Sequence, residues 1–242
     1  MIDVHDLEKT YSRRVAVANA TFCANDGAIT GLLGSNGAGK TTTFRMICGV
    51  LAPDSGSIVV DDASDSRYPL QRQYRVGALL DHIGLYGRLT ARENLAYFGE
   101  LRGLSGSILA QRVDDVISLL GMQAIADRRT AGFSQGERMK TALGRAILHS
   151  PRNLLLDEPT NGLDVPAVRS LRDLLRKLRD SGVCVLLSSH VLTEVRALCN
   201  VIVILSHGRV VTQGTPDAIC KRAEADSLED AFVKLTTEST PC

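Results

Sequence analysis

The chain has 242 residues, of which 44% are hydrophobic and 23% charged. That composition excludes wholesale disorder and leaves enough apolar surface for a large core. Lys plus Arg number 28 against 27 Asp plus Glu, a net charge of +1, so overall charge gives no reason to expect nucleic-acid binding. No apolar run approaches the roughly 18 residues of a membrane span. Met1-Ile-Asp-Val-His-Asp6 has neither the basic start nor the apolar core of a secretory signal. The expected location is therefore the cytosol, unless a partner holds the chain at a membrane.

In chain order, residues 1–27 read as antiparallel strands with turns. Ala28–Leu33 is a short apolar run, expected as a buried strand, followed by a Gly-rich turn and a helix over Thr41–Val50. From about His82 to Ser150 the pattern turns helical. Thr90-Ala-Arg-Glu93 is a capping box ahead of a helix over Asn94–Leu101, Leu109–Leu120 has a helical period, and Ser134-Gln-Gly-Glu137 is a second capping box opening a helix to about His149. Strand Asn153–Leu156 then precedes an amphipathic helix over Val165–Asp180, with Asp164 as N-cap, Pro166 in the first turn and Gly182 at the stop. Val183–Leu187, Val191–Cys199 and Val201–Leu205 continue as strand, helix, strand. This alternation argues for an α/β fold with a mainly parallel sheet. The tail after about Lys221 is polar with one amphipathic segment, Leu228–Leu235. The six cysteines (Cys23, Cys48, Cys184, Cys199, Cys220, Cys242) contain no C-x-x-C pair and are expected as reduced thiols; the five histidines show no metal-ligand spacing.

Two motifs carry chemistry. Gly34-Ser35-Asn36-Gly37-Ala38-Gly39-Lys40-Thr41, continued by Thr42, fits G-x-x-x-x-G-K-[ST]. Its glycines let successive backbone N–H groups point at phosphate oxygens, and the following helix offers the positive end of its dipole. Lys40 suits the β- and γ-phosphates of ATP, and the Thr41 hydroxyl suits Mg²⁺. Leu154-Leu-Leu-Asp157-Glu158-Pro159 is an apolar strand ending in acids. Asp157 suits the Mg²⁺ shell, and Glu158 could polarise an attacking water.

These residues together resemble the nucleotide-binding subunit of an ABC transporter over roughly residues 2–220. Phe133-Ser134-Gln135-Gly136-Glu137 resembles the family signature LSGGQ, departing from it at three of five positions and keeping Ser134 and Gly136. Asn161-Gly-Leu-Asp164 resembles the D-loop, His190 the switch histidine and Tyr11 the aromatic that stacks on adenine. Asp81 stands where the family usually has a glutamine near the metal and water; an ionised carboxylate accepts but cannot donate as an amide does.

The resemblance implies a P-loop NTPase core with an N-terminal antiparallel β subdomain and a helical insertion at about 82–150, all within a domain over 1–222, followed by a tail over 223–242. It implies ATP hydrolysis with Glu158, His190 and Asp81 at the reacting end and Thr41 and Asp157 on Mg²⁺. Tyr11, Gly34–Thr42 and, from a second subunit, Ser134 and Gly136 would hold the nucleotide. The partners implied are a second ATP-binding subunit (a homodimer) and a separate multi-span permease docked near His82–Tyr97, at the cytoplasmic face of the membrane, with no nucleic acid.

Several stretches resemble the sodium-export and drug-export branch: Gly84–Leu95, the Phe-Ser-Gln-Gly signature and Gly208–Gly214. Two other readings stay open. One is a soluble ABC ATPase acting on nucleic acid or ribosomes; against it, the chain lacks a second cassette, zinc-type cysteine pairs and a long coiled coil. The other is a nucleotide-binding regulator without turnover, kept open by the altered signature and Asp81.

Overall fold

The uninterrupted apolar runs become strands covered on both faces. The computed structural model describes residues 1–12, 14–61, 73–80 and 84–238; Asp81 and His82 lie outside them. A six-stranded sheet runs in the order β5 (Val76–Leu79), β6 (Asn153–Asp157), β7 (Cys184–Ser189), β3 (Ile29–Leu33), β8 (Val201–Ser206), β9 (Arg209–Gly214). All neighbours are parallel except β8 and β9. Side chains alternate across a strand. Leu154 and Leu156 of β6 therefore join the helical side of the core while Leu155 joins the opposite side, and Val185 and Leu187 are likewise separated from Leu186 on β7. A strand buried on both faces has no solvent-facing side to hold a polar alternation, which is why the middles of these segments read as continuous apolar runs.

On one side of this sheet lies α1 (Lys40–Ile47), with Phe44, Met46 and Ile47 fully buried. They sit in one core with the antiparallel sheet β2 (Arg14–Ala24), β1 (Ile2–Tyr11), β4 (Ser55–Val60). On the other side lie α2 (Ala91–Leu101), α3 (Gly106–Leu119), α4 (Gln135–Ile147), α5 (Val165–Asp180) and α6 (Leu192–Leu198). The capping boxes expected at Thr90 and Ser134 are both formed, and the Asp164 carboxylate accepts the Ala167 N–H at 2.9 Å. The polar tail after α7 (Pro216–Arg222) folds back as α8 (Leu228–Glu238), with Leu228 and Ala231 fully buried in the main core. No helix among the described residues is long and apolar enough to cross a membrane.

This topology positions the site. Because β3, β5, β6 and β7 are parallel, their C-terminal ends open on one edge of the sheet, where α/β sheets place their ligands. The Gly-rich turn follows β3, Asp157 ends β6, and Ser188, Ser189 and His190 end or follow β7.

Candidate nucleotide-binding site

β3 stops at Leu33 and α1 starts at Lys40, so Gly34–Gly39 make the whole connection. Gly39, at φ 106°, is the N-cap of α1. A Cβ there would lie 2.4 Å from the Ala16 carbonyl oxygen, so only glycine fits by both conformation and space. No side chain caps α1, and its first turn holds no acid. In α2, α4 and α5, by contrast, Thr90, Ser134 and Asp164 satisfy backbone N–H groups. The N-terminal N–H groups of α1 are thus left for an external anion, aligned with the helix dipole.

Lys40 is 7% exposed. Its Nζ donates to the carbonyls of Gly34 at 2.6 Å and Ser35 at 3.3 Å, and lies 3.5 Å from Glu158 Oε1. Around it is a cleft of about 370 Å³, lined by Tyr11, Ser35, Asn36, Gly37, Gly39, Lys40, Thr41, Thr42 and Glu158. That size suits a small-molecule ligand. Gly34 and Ala38 stay off the cleft wall: Gly34 holds Lys40 through its carbonyl, and Ala38 is buried with its N–H donating to the Ser35 carbonyl at 3.1 Å. Tyr11 is 44% exposed, leaving its ring available at the cleft for stacking.

The acids converge on the same turn. Thr41 Oγ1 donates to Asp157 Oδ2 at 2.7 Å, and the Ser188 hydroxyl donates to Asp157 Oδ1. Glu158 is held at φ 48°, a left-handed conformation uncommon for a non-glycine residue. Its N–H donates to Ser188 Oγ at 2.9 Å, and its Oε2 lies 2.8 Å from His190 Nδ1. Thr41 and Asp157 are hard oxygen donors of the kind Mg²⁺ takes, and no cluster of three or more His, Cys, Asp or Glu exists among the described residues. A metal here would fill its shell with phosphate oxygens and water. This donor set fits Mg²⁺ in a nucleotide complex.

Ser134 and Gly136 lie elsewhere. Ser134 Oγ accepts the Glu137 N–H at 3.3 Å and Glu137 Oε2 accepts the Ser134 N–H at 2.8 Å, with neither Ser134 nor Gly136 on the wall of the Lys40 cleft. Gln135 instead borders a recess of about 210 Å³ shared with Thr41, Asp157, Glu158 and Asn161. Asp81 falls outside the described residues.

Three site residues were missed in the sequence. Arg14 and Ala16 line the cleft, with Arg14 beside Gly37 and paired with Tyr11 in the β1–β2 hairpin. The signal was a basic residue just beyond a candidate stacking tyrosine. Ser188, two residues before His190, carries no signal of its own in the sequence; its bridge between the two acids depends on strand register, which sets it opposite Asp157.

The family model described as ABC transporter matches residues 17–161. The chain is 37% identical over 219 residues to the ABC transporter ATP-binding protein NatA of Bacillus subtilis (strain 168), covering 90% of this chain and 89% of that one. It is 35% identical over 232 residues to the lipopolysaccharide export system ATP-binding protein LptB of Escherichia coli (strain K12), covering 95% and 93%. Among solved structures, one titled as the ATP-binding subunit of an ABC transporter superposes with a TM-score of 0.89 at 29% identity, covering 98% of this chain and 99% of that one.

Proposed function

The chain belongs to the ABC transporter family as an ATP-hydrolysing, ATP-binding subunit, and from that premise we propose that it drives export through a separate membrane permease as one half of an ATP-bound homodimer. The carrying observation is the convergence of an uncapped helix N-terminus, Lys40, Thr41 and Glu158 on one cleft, with Asp157 hydrogen-bonded to Thr41 and His190 to Glu158. In this reading Tyr11 stacks on adenine, the backbone N–H groups of the Gly34–Thr42 turn and Lys40 bind the phosphates, and Glu158 takes a proton from the attacking water as His190 orients its carboxylate. Mg²⁺, held by Thr41 and Asp157, would neutralise charge on the β- and γ-phosphates.

Support for a dimer comes from Ser134 and Gly136. They present a helix N-terminus but do not line the Lys40 cleft of their own chain, so a second copy would bring them to the γ-phosphate. Loss of that phosphate removes the cross-contact and lets the halves part.

Support for permease docking comes from half-exposed Tyr86 and Tyr97, which pack edge to face beside Phe98 at the start of the helical region. Aromatic surface of this kind suits a docked segment, at the cytoplasmic face of a membrane. The cargo classes carried over from the resemblance are sodium ions and drugs; a relative named for lipopolysaccharide export is about as similar as the others, so the permease sets the cargo.

Steady-state phosphate release with Mg²⁺ and ATP tests the reading. Glu158→Gln should reduce turnover to background while the protein retains ATP and elutes as a dimer on gel filtration. Turnover near that of the parent chain would reject Glu158 as the base. Co-purification with a multi-span membrane protein from the native cell tests the permease; its recovery with a nucleic acid or ribosome instead would reverse that part.

A further inference from the structure

Two of the three departures from the family signature touch the same side chain. The Arg128 guanidinium lies 5.5 Å from the centre of the Phe133 ring, and its Nη1 donates to Glu137 Oε1 at 2.9 Å. The other Glu137 oxygen accepts the Ser134 N–H, so the carboxylate is folded against the serine that would meet a nucleotide. Its pKa is held below the ordinary carboxylate value, chiefly by that backbone N–H and further by Arg128. Glu137 is therefore an anion at neutral pH.

An anion at this point is a problem of charge. On the reading above, Ser134 Oγ and the Gly136 N–H receive the γ-phosphate of a nucleotide bound by a second copy. A bare carboxylate within one helical turn would repel that phosphate and offset the helix dipole. A glutamine, the usual residue here, brings no such charge. Arg128 supplies the missing counter-charge, and its backbone is anchored to do so: its carbonyl accepts the Ala91 N–H at 3.2 Å, and Arg129 bridges to Thr90. With Arg128 53% and Glu137 24% exposed, the pair adds little to folding stability. Its consequence lies in the charge presented at the signature.

We propose that Arg128 is a positioning residue for ATP hydrolysis, holding and neutralising Glu137 so that Ser134 and Gly136 can accept the γ-phosphate of a nucleotide bound by a second copy of this chain. The inference rests on the ATP-bound dimer proposed above.

The test uses the full chain carrying Glu158→Gln, with ATP and Mg²⁺ titrated and the dimer followed by light scattering. Adding Arg128→Ala should raise the ATP concentration for half-maximal dimerisation by about tenfold. Adding Glu137→Gln as well should bring it back to within about threefold of the parent, because a neutral amide needs no counter-charge. Binding of a fluorescent ATP analogue below the dimerisation concentration should match the parent in all variants, since Arg128 is not on the wall of the Lys40 cleft. An unchanged midpoint in Arg128→Ala, or a defect that Glu137→Gln does not relieve, overturns the assignment. Failure of the Glu158→Gln parent itself to dimerise with ATP overturns the dimer, and this inference falls with it.

Discussion

Lys40 shows how a buried side chain is aimed by its neighbours. Two carbonyls of the Gly-rich turn and the Glu158 carboxylate surround it, which offsets the cost of removing a cation from water. Lys40→Ala removes the only side-chain cation inside the turn itself. ATP affinity measured by titration calorimetry should fall by about tenfold or more, the scale of one charge-assisted hydrogen bond; unchanged affinity would sink the phosphate-binding assignment. Ser188 works differently. Fully buried, it donates to Asp157 and accepts the Glu158 N–H, so one hydroxyl fixes both acids and helps hold Glu158 in its left-handed backbone conformation. Ser188→Ala should lower kcat on the order of tenfold with KM for ATP little changed, because it loosens the acids without touching the phosphate turn. A rise in KM at constant kcat would place Ser188 in nucleotide binding instead.

At the scale of elements, α1 couples folding to function. Phe44 is among the largest fully buried side chains and sits between the two sheets, so Phe44→Ala should cost about 3–5 kcal/mol by urea unfolding. A loss below 1 kcal/mol would mean that α1 is not the bridge between the layers. α1, α4 and α5 were legible in advance because each has a local signal: a glycine turn, a capping box, an Asp N-cap with Pro166 behind it. β4 and β9 were not. Ser55-Gly-Ser57 has little strand propensity, and its Gly56 at φ 87° lies against the Asp6 backbone. β9 is held by antiparallel pairing with β8, a partner that local sequence does not specify.

Across the whole molecule, the helical side and the sheet share one core, running from Leu95 and Val116 to Leu154 and Ile202. A shared core couples the α2–α4 region to the strands that carry the acids. His149, just beyond α4, registers this burial. Removal from water, with Arg102 and Arg112 nearby, pushes its pKa down to about 4. The folded pKa lies below the unfolded one, so the neutral ring is favoured by folding. The associated stability is complete above about pH 6.5 and is lost as pH falls toward 4. Melting temperature should drop across that interval, and His149→Gln should flatten part of the drop. An identical pH profile in the variant would show that other groups set the acid limit.

The sequence by itself determined the chemistry of the phosphate turn, the family, and the strands and helices other than β4 and β9 that carry a local signal, because glycine spacing, caps and apolar runs act through neighbours a few residues away. It named Tyr11, Lys40, Thr41, Asp157, Glu158 and His190 as candidates one at a time. Only the tertiary structure decided which of them meet. The parallel register that sets Ser188 opposite Asp157 and the hairpin that swings Arg14 to Gly37 are contacts between distant segments. Their energies arise from pairing and packing across the fold, which no local pattern encodes.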